Sequence, residues 1–242
     1  MLQSNELVNC KFIRGLRNAC ITDLGICFGD VSQLLGLCDR DLFSPYELKS
    51  CRLDKSLVSR YLIKMLVCSK YSWLRPRNVE IVNNSNGKPQ LRICGCDLPW
   101  VISISHSRDV VAICFSDDGA VGIDVQTPIK WDIPLKLDIA FTSCELDCIF
   151  SDYDPEKRNE MFTLLWTIKE AVGKALGVGL MMGFHSIEVL PLENECCRVR
   201  LRGIEHKKIC NSTIYYDCFC SYICAVFWTA GSTGEEDKNR II

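Results

Sequence analysis

Three short clusters in this chain bring together residue types that handle charge. In Gly122-Ile123-Asp124-Val125-Gln126 the two-residue period of a strand sends Asp124 and Gln126 to one face, so that two oxygen ligands converge. In Trp166-Thr167-Ile168-Lys169-Glu170-Ala171-Val172-Gly173-Lys174, a run of helical composition, Trp166, Glu170 and Lys174 recur at a spacing of four and share a face. Ser103-Ile104-Ser105-His106-Ser107 ends a strand-like run with hydroxyls and one of only three histidines, a set suited to anchoring a pyrophosphate. Each cluster also has a plain reading: a capping aspartate at a strand end, a helix ion pair between Glu170 and Lys174 beside a core Trp166, and a hydrogen-bonded strand-end histidine. Together they make a different case. Magnesium takes hard oxygens in octahedral array, and Asp124, Glu170 and the amide oxygen of Gln126 supply such a set, with Lys174 one turn further on to meet a phosphate.

The elements that must hold these clusters are legible from local signals. Ser44-Pro45-Tyr46-Glu47 reads as a helix start, with a capping hydroxyl, a proline at the first helical position and a glutamate at the third. Thr142-Ser143-Cys144-Glu145 repeats the capping box. A phenylalanine precedes each, Phe43 and Phe141, 98 residues apart. Downstream of the first lies an amphipathic stretch around Tyr61 to Leu66 and then the strand-like Val79-Glu80-Ile81. Downstream of the second come Met161 to Leu176 and then Ile187-Glu188-Val189. The order helix, helix, strand occurs twice, which points to an internal duplication. β-Branched runs at Val101–Ser105, Val110–Phe115 and Val121–Val125 lie between, the last two joined through Asp117-Asp118-Gly119 and read as a hairpin. Further strands are expected near Cys197 to Leu201, Thr213 to Phe219 and Tyr222 to Trp228, giving an α+β architecture, with a disordered tail from about residue 231.

Composition narrows the function classes. A chain of 242 residues, 48% hydrophobic, buries a core without staples, and a net charge of −2 with 24% charged residues argues against a nucleic-acid or membrane-surface partner. Seventeen cysteines are scattered through apolar stretches. Their tightest groupings, Cys94-x-Cys96, Cys196-Cys197 and Cys218-x-Cys220 followed by Cys224, lack the paired spacing of a structural zinc site, so most read as small buried hydrophobes of a reducing compartment. No apolar run reaches the length of a membrane helix and the start lacks a signal-peptide core, so the cytoplasm is the expected location.

In order and spacing, Ile104-Ser105-His106-Ser107, Gly122-Ile123-Asp124-Val125 and Trp166-x-x-Lys169-Glu170-Ala171-x-x-Lys174 resemble the signature of the surfactin-synthetase-activating (Sfp) type of 4′-phosphopantetheinyl transferase. Asn86-Gly87-Lys88-Pro89 is similar to that family's Gly-Lys-Pro loop, and Phe43-Ser44-Pro45 to its early helix start; the resemblance covers residues 40 to 190 or so. It implies a pseudo-dimer of two similar α+β halves, drawn here as residues 1–119 and 120–242, with the active site in the cleft between them. It further implies transfer of the 4′-phosphopantetheine moiety of coenzyme A to a serine of an apo acyl or peptidyl carrier protein, the holo-acyl-carrier-protein synthase class of activity. Magnesium, with manganese as an alternative, is the implied cofactor. Asp124, Gln126 and Glu170 fall at the metal positions, and Glu170, Lys174 and His106 are the candidate catalytic residues. Lys55, Arg60, Lys88, Pro89, Ser105, His106 and Lys174 are the candidates for holding coenzyme A, with Lys49 and Arg52 as further cations near the 3′-phosphate. A duplicated chain is expected to be a monomer.

One departure stands out: many members of the family carry an acid where this chain has Gln126, and an amide brings a metal oxygen but no charge and little basicity. The rival from another class is therefore a non-catalytic module that binds coenzyme A or a carrier protein. A zinc or redox protein is a third reading, to be recognised by stoichiometric zinc. A P-loop is excluded because Gly173-Lys174 lacks the required preceding glycine.

Overall fold

The computed structural model describes residues 24–51, 53–84, 87–116, 119–130, 137–177, 183–190, 196–202, 212–219 and 221–229. Arg52, Asn86 and the tail from residue 231 lie outside them.

The first half opens with β1 (Leu24–Asp30) and the single-turn α1 (Val31–Leu34), capped by Asp30, whose carboxylate accepts from the Gln33 N–H. Then follow α2 (Pro45–Ser50), α3 (Asp54–Lys70), β2 (Val79–Asn83), β3 (Pro89–Ile93), β4 (Cys96–Ser107) and β5 (Val110–Ser116). These strands form one antiparallel sheet in the order β1-β5-β4-β3-β2. The second half contributes β6 (Val121–Gln126), α4 (Leu137–Ala140), α5 (Ser143–Phe150), α6 (Pro155–Leu176), β7 (Ile187–Val189), β8 (Cys196–Cys197), β9 (Val199–Leu201), β10 (Ser212–Phe219) and β11 (Tyr222–Thr229). Here β6-β11-β10-β8 make a second sheet, with β7 and β9 paired beside it. The architecture is α+β, as expected.

The expected pairing of Val110–Phe115 with Val121–Val125 is not what forms. β5 turns back on β4 through Arg108 and Asp109 and lies between β4 and β1, whereas β6 crosses to the other sheet and pairs with β11. Asp117 and Asp118, the turn signal before Gly119, lie outside the described residues. The helix expected from Met161 starts earlier, at Pro155, where the Asp154 carboxylate caps the Glu156 N–H and proline takes the first turn.

Both capping boxes form, and they do more than start helices. Glu47 accepts the Ser44 N–H (2.8 Å) and Lys64 Nζ (3.0 Å) on Oε2 and the Ile81 N–H (3.2 Å) on Oε1. Glu145 repeats this atom for atom, taking the Thr142 N–H (2.7 Å) and Lys169 Nζ (2.7 Å) on Oε2 and the Val189 N–H (2.7 Å) on Oε1. Each lysine also donates to backbone carbonyls, Lys64 to Val79 and Pro76, Lys169 to Ala140 and Phe184, and each lies over the preceding phenylalanine ring, Phe43 or Phe141. All four charged side chains are at most 2% exposed. Buried charge is tolerated only with a partner and full hydrogen bonding, which these clusters provide. One short helix, one long helix and one strand are thus stapled together in each half, and the duplication read from the capping boxes is carried by three-dimensional contacts.

Each half has its own apolar core, one around Leu62, Ile63, Ile81, Leu91, Ile102 and Ile113, the other around Phe141, Phe162, Ile168, Val172, Ile187 and Phe227. A third cluster of Phe28, Ala112, Cys114, Val121, Ile123, Val125, Cys224 and Val226 joins them. Among the described residues β6 pairs with a strand on one side only, which leaves alternate backbone N–H groups of β6 and of Thr127 just after it facing β4. Serine hydroxyls of β4 meet them: Ser103 accepts from Ile123 (3.1 Å), Ser105 from Val125 (3.2 Å) and Ser107 from Thr127 (3.1 Å). Buried amides left unpaired would each cost on the order of 1–3 kcal/mol, so this hydroxyl ladder makes the seam between the halves tolerable.

Candidate functional site

A cleft of about 640 Å³ opens between the halves. The first half lines it with Ser50, Ser56, Ser59 and Arg60, with Gly87, Lys88 and Pro89 ahead of and at the start of β3, and with Ser103 to His106 of β4. The second half supplies Asp124 and Gln126 from β6 and Glu170, Gly173 and Lys174 from α6. Of the twelve site candidates named from the sequence, nine line this cleft and Arg52 lies outside the described residues. Lys55 does not line it, although it is close enough for its charge to act on the His106 ring. Lys49, also absent from the lining, is an exposed helix-face cation.

β6 and α6 can carry facing charges because they nearly touch. A β-carbon at Gly122 would stand 2.0 Å from the Ala171 carbonyl oxygen and 2.7 Å from the Ala175 nitrogen, so only glycine permits this approach. It sets Asp124 against the helix turn that bears Glu170 and Lys174. Trp166, one turn earlier, packs edge-on against Phe184 with ring centroids 4.7 Å apart and stacks on Phe162, so it is the core anchor of that face.

Asp124 is buried and its two oxygens are used unequally. Oδ1 accepts from Lys174 Nζ (2.6 Å) and from the Ser105 hydroxyl (2.6 Å), whereas Oδ2 receives only a 3.3 Å contact from Gln126 Nε2. The lysine one turn beyond Glu170 therefore pairs with Asp124 across the cleft, and the Glu170–Lys174 helix pair read from spacing is not the ion pair that forms. Glu170 makes no side-chain hydrogen bond among the described residues. Burial, with the Asp124 carboxylate adding repulsion, raises its affinity for a proton above the ordinary glutamate level, and the Lys174 charge offsets only part of this. Two carboxylates that repel each other, one without a donor, fit a hard divalent cation in donor type. Among the described residues no group of three or more His, Cys, Asp or Glu could hold a metal. The set is therefore two carboxylates, and the rest must come from amide oxygen, phosphate or water. Gln126 turns its amino group toward Asp124, so its oxygen would serve a metal only after the amide turns over.

Cations also line the cleft. Arg60, only 7% exposed, reaches Ser50 Oγ (3.2 Å) and the Ser56 carbonyl (3.4 Å), and its buried Nε has no hydrogen-bond partner. Lys88 crosses the cleft to the Ala175 carbonyl (3.3 Å), and burial holds its affinity for a proton below that of a solvated lysine. His106 is held below the ordinary histidine range, first by burial and then by the charges of Lys55 and Lys174, so it stays neutral at neutral pH. A buried guanidinium with an unused donor and a half-buried lysine are donors of the kind that meet phosphate oxygens.

Sequence reasoning did not find Lys64, Lys169, Glu47 or Glu145 as a paired scaffold, nor the part played by Ser103 and Ser107. The repeat of Phe-Ser/Thr-x-x-Glu was the signal available for the staples. The same repeat identifies what the first half lacks. Cys27 pairs with Ile113, three residues into β5, as Asp124 pairs with Ala225, three residues into β11. Met65 follows the stapling Lys64 as Glu170 follows Lys169, and Ser69 stands where Lys174 does.

A family model described as the 4′-phosphopantetheinyl transferase superfamily matches residues 120–226. The chain is similar to the L-aminoadipate-semialdehyde dehydrogenase-phosphopantetheinyl transferase of Eremothecium gossypii, 29% identical over 169 residues, which cover 66% of this chain and 60% of that one. It is also similar to the 4′-phosphopantetheinyl transferase Sfp of Bacillus subtilis, 28% identical over 60% of this chain and 65% of that one, and to psf-1 of Bacillus pumilus, 30% identical over 61% and 60%. The chain spans less than two thirds of the length of each of these relatives. Residues 120–226, which hold Asp124, Glu170 and Lys174, are thus the part of the chain that is similar to the 4′-phosphopantetheinyl transferase superfamily.

Proposed function

We propose that the chain transfers the 4′-phosphopantetheine arm of coenzyme A to a serine of an apo carrier protein, releasing adenosine 3′,5′-bisphosphate, with magnesium bound at Asp124 and Glu170. The observation that carries this reading is one cleft lined by a buried guanidinium with an unused donor, a half-buried lysine and two carboxylates that repel each other. Arg60, Lys88 and Lys55 are assigned to the 3′-phosphate region, Pro89 to shaping the loop beside it, and His106 to the pyrophosphate. Residues 1–119 and 120–242 are taken as the two halves, and a monomer in the cytoplasm as the working form; no helix among the described residues is long and apolar enough to cross a membrane.

In the step itself, the serine oxygen bonds to the β-phosphorus while the bond from that phosphorus to the bridging oxygen breaks, and the bisphosphate leaves with the electron pair. The serine proton goes to Glu170, directly or through a water molecule. Lys174 exchanges its Asp124 contact for a phosphate oxygen, where its charge stabilises the developing negative charge. A bound magnesium ion supplies neutralisation of phosphate charge and orientation of the phosphoryl group.

The test is intact-mass measurement of a panel of apo carrier proteins incubated with the chain, coenzyme A and magnesium, beside a chelated control. A gain of about 340 Da, one phosphopantetheinyl group joined through magnesium-assisted phosphoryl chemistry, is expected, lost on chelation and in Glu170→Gln. No gain on any carrier, together with measurable coenzyme A binding, would favour the binding module for which Gln126 speaks.

A further inference from the structure

The hydroxyl ladder between β4 and β6 contains one rung unlike its neighbours. Ser103 and Ser105 each accept a backbone N–H from β6 and Ser107 one from Thr127 just after it, but Ser105 also donates its proton to Asp124 Oδ1 at 2.6 Å. Ser105 thus clamps the Asp124 side chain to the main chain of the next residue, Val125. The second donor on Oδ1, Lys174, sits on a long and partly exposed side chain. The Gln126 contact on Oδ2 is long.

We infer that Ser105 is a positioning residue for Asp124, holding Oδ1 so that Oδ2 faces the cation, rather than a direct ligand of coenzyme A phosphate. When Lys174 swings to a phosphate, Ser105 is the donor that keeps the carboxylate from rotating. The hydroxyl proton is committed to Asp124, so it is not available to a phosphate oxygen. Hydrogen-bond partners of metal-bound carboxylates set metal affinity by fixing the orientation of the ligand. The inference rests on the reading of Asp124 as a metal ligand, and its test separates the two.

The experiment titrates Mn²⁺ into the full chain with coenzyme A present, following free Mn²⁺ by electron paramagnetic resonance, for wild type, Ser105→Ala, Ser105→Thr, Ser107→Ala and Asp124→Asn. Binding of coenzyme A under chelation and thermal midpoints are measured alongside. Ser105→Ala is expected to weaken Mn²⁺ binding by about 10-fold or more, the usual effect of losing such a partner, with Ser105→Thr restoring most of it. Ser107→Ala removes a seam bond of the same kind and is expected to lower the thermal midpoint without changing Mn²⁺ affinity. Wild-type Mn²⁺ binding by Ser105→Ala beside a loss in Asp124→Asn would overturn the positioning role alone. Equal binding by Asp124→Asn and wild type would overturn the metal-site reading beneath it. A loss of chelated coenzyme A binding in Ser105→Ala that matches its loss of Mn²⁺ would assign the hydroxyl to phosphate and refute the inference.

Discussion

Gly122→Ala tests whether the near contact of β6 and α6 is what brings the charges together. The added methyl would lie 2.0 Å from the Ala171 carbonyl oxygen and 3.0 Å from the Ala175 Cβ, and neither neighbour is the movable end of a flexible side chain. Restoring an ordinary contact requires the strand and helix to part by about 1.4 Å. Ala171 and Ala175 adjoin Glu170 and Lys174, so that separation stretches the 2.6 Å Lys174–Asp124 contact to about 4 Å, beyond hydrogen-bond range. Misplacement by about 1 Å costs on the order of 100-fold in rate, and overpacking of this kind costs about 1–3 kcal/mol of stability. A fall of that size in kcat/KM for carrier modification is therefore expected. It should come with a drop in Tm of about 2–12 °C for a chain of this length. Steady-state transfer assays and calorimetry on the same preparation read both. A folded Gly122→Ala protein with wild-type kcat/KM would refute the reasoning, because it would mean that the site does not depend on this approach.

Lys169→Met and Lys64→Met should each destabilise the chain by about 3–5 kcal/mol in urea titrations, since each strands a buried carboxylate, and the double change Lys169→Met with Glu145→Leu should cost less than Lys169→Met alone. Glu188 is held below the ordinary glutamate range by hydrogen bonds from Arg202 and then Arg200, so its contribution to stability is full above its unfolded value and is lost as pH falls through the lowered native one. Glu188→Gln should flatten the loss of stability as pH falls below the ordinary glutamate range, and an acid limb of unchanged slope in denaturant melts would count against it. Arg60→Met should weaken coenzyme A binding by about 10-fold or more while leaving dephospho-coenzyme A almost unaffected, given the strength of a charged hydrogen bond to phosphate. Calorimetry with the two nucleotides checks this, and equal losses for both would move Arg60 away from the 3′-phosphate.

What the sequence made legible is local chemistry and local capping. That Asp124 shares a face with Gln126, and Glu170 with Lys174, was legible because period two and period four fix which residues lie together, and the starts at Ser44 and Thr142 because a capping box is written within four residues. Pairing between distant segments is not so written. β5 and β6 look like a hairpin from their turn residues, and only the tertiary competition from β1, β4 and β11 separates them. Lys64 and Lys169 look like solvated helix residues because a lysine buried against a glutamate 17 or 24 positions away leaves no short-range pattern. The serines of β4 read as a polar strand end, whereas their task is to satisfy the open edge of a strand that the sequence does not identify as an edge.

The repeated Glu–Lys staple has a consequence for stoichiometry. Two identical halves in symmetric contact would offer two equivalent chambers, whose occupancy would follow statistical factors and permit cooperativity between them. Here the scaffold is doubled while Cys27, Met65 and Ser69 stand in the first half at the places of Asp124, Glu170 and Lys174. Cys27 is wholly buried, so returning a carboxylate there would strand a charge in the core instead of opening a second chamber. Saturation by nucleotide should therefore be hyperbolic with one equivalent per chain, the asymmetry being written into the polypeptide rather than imposed by the first molecule to bind.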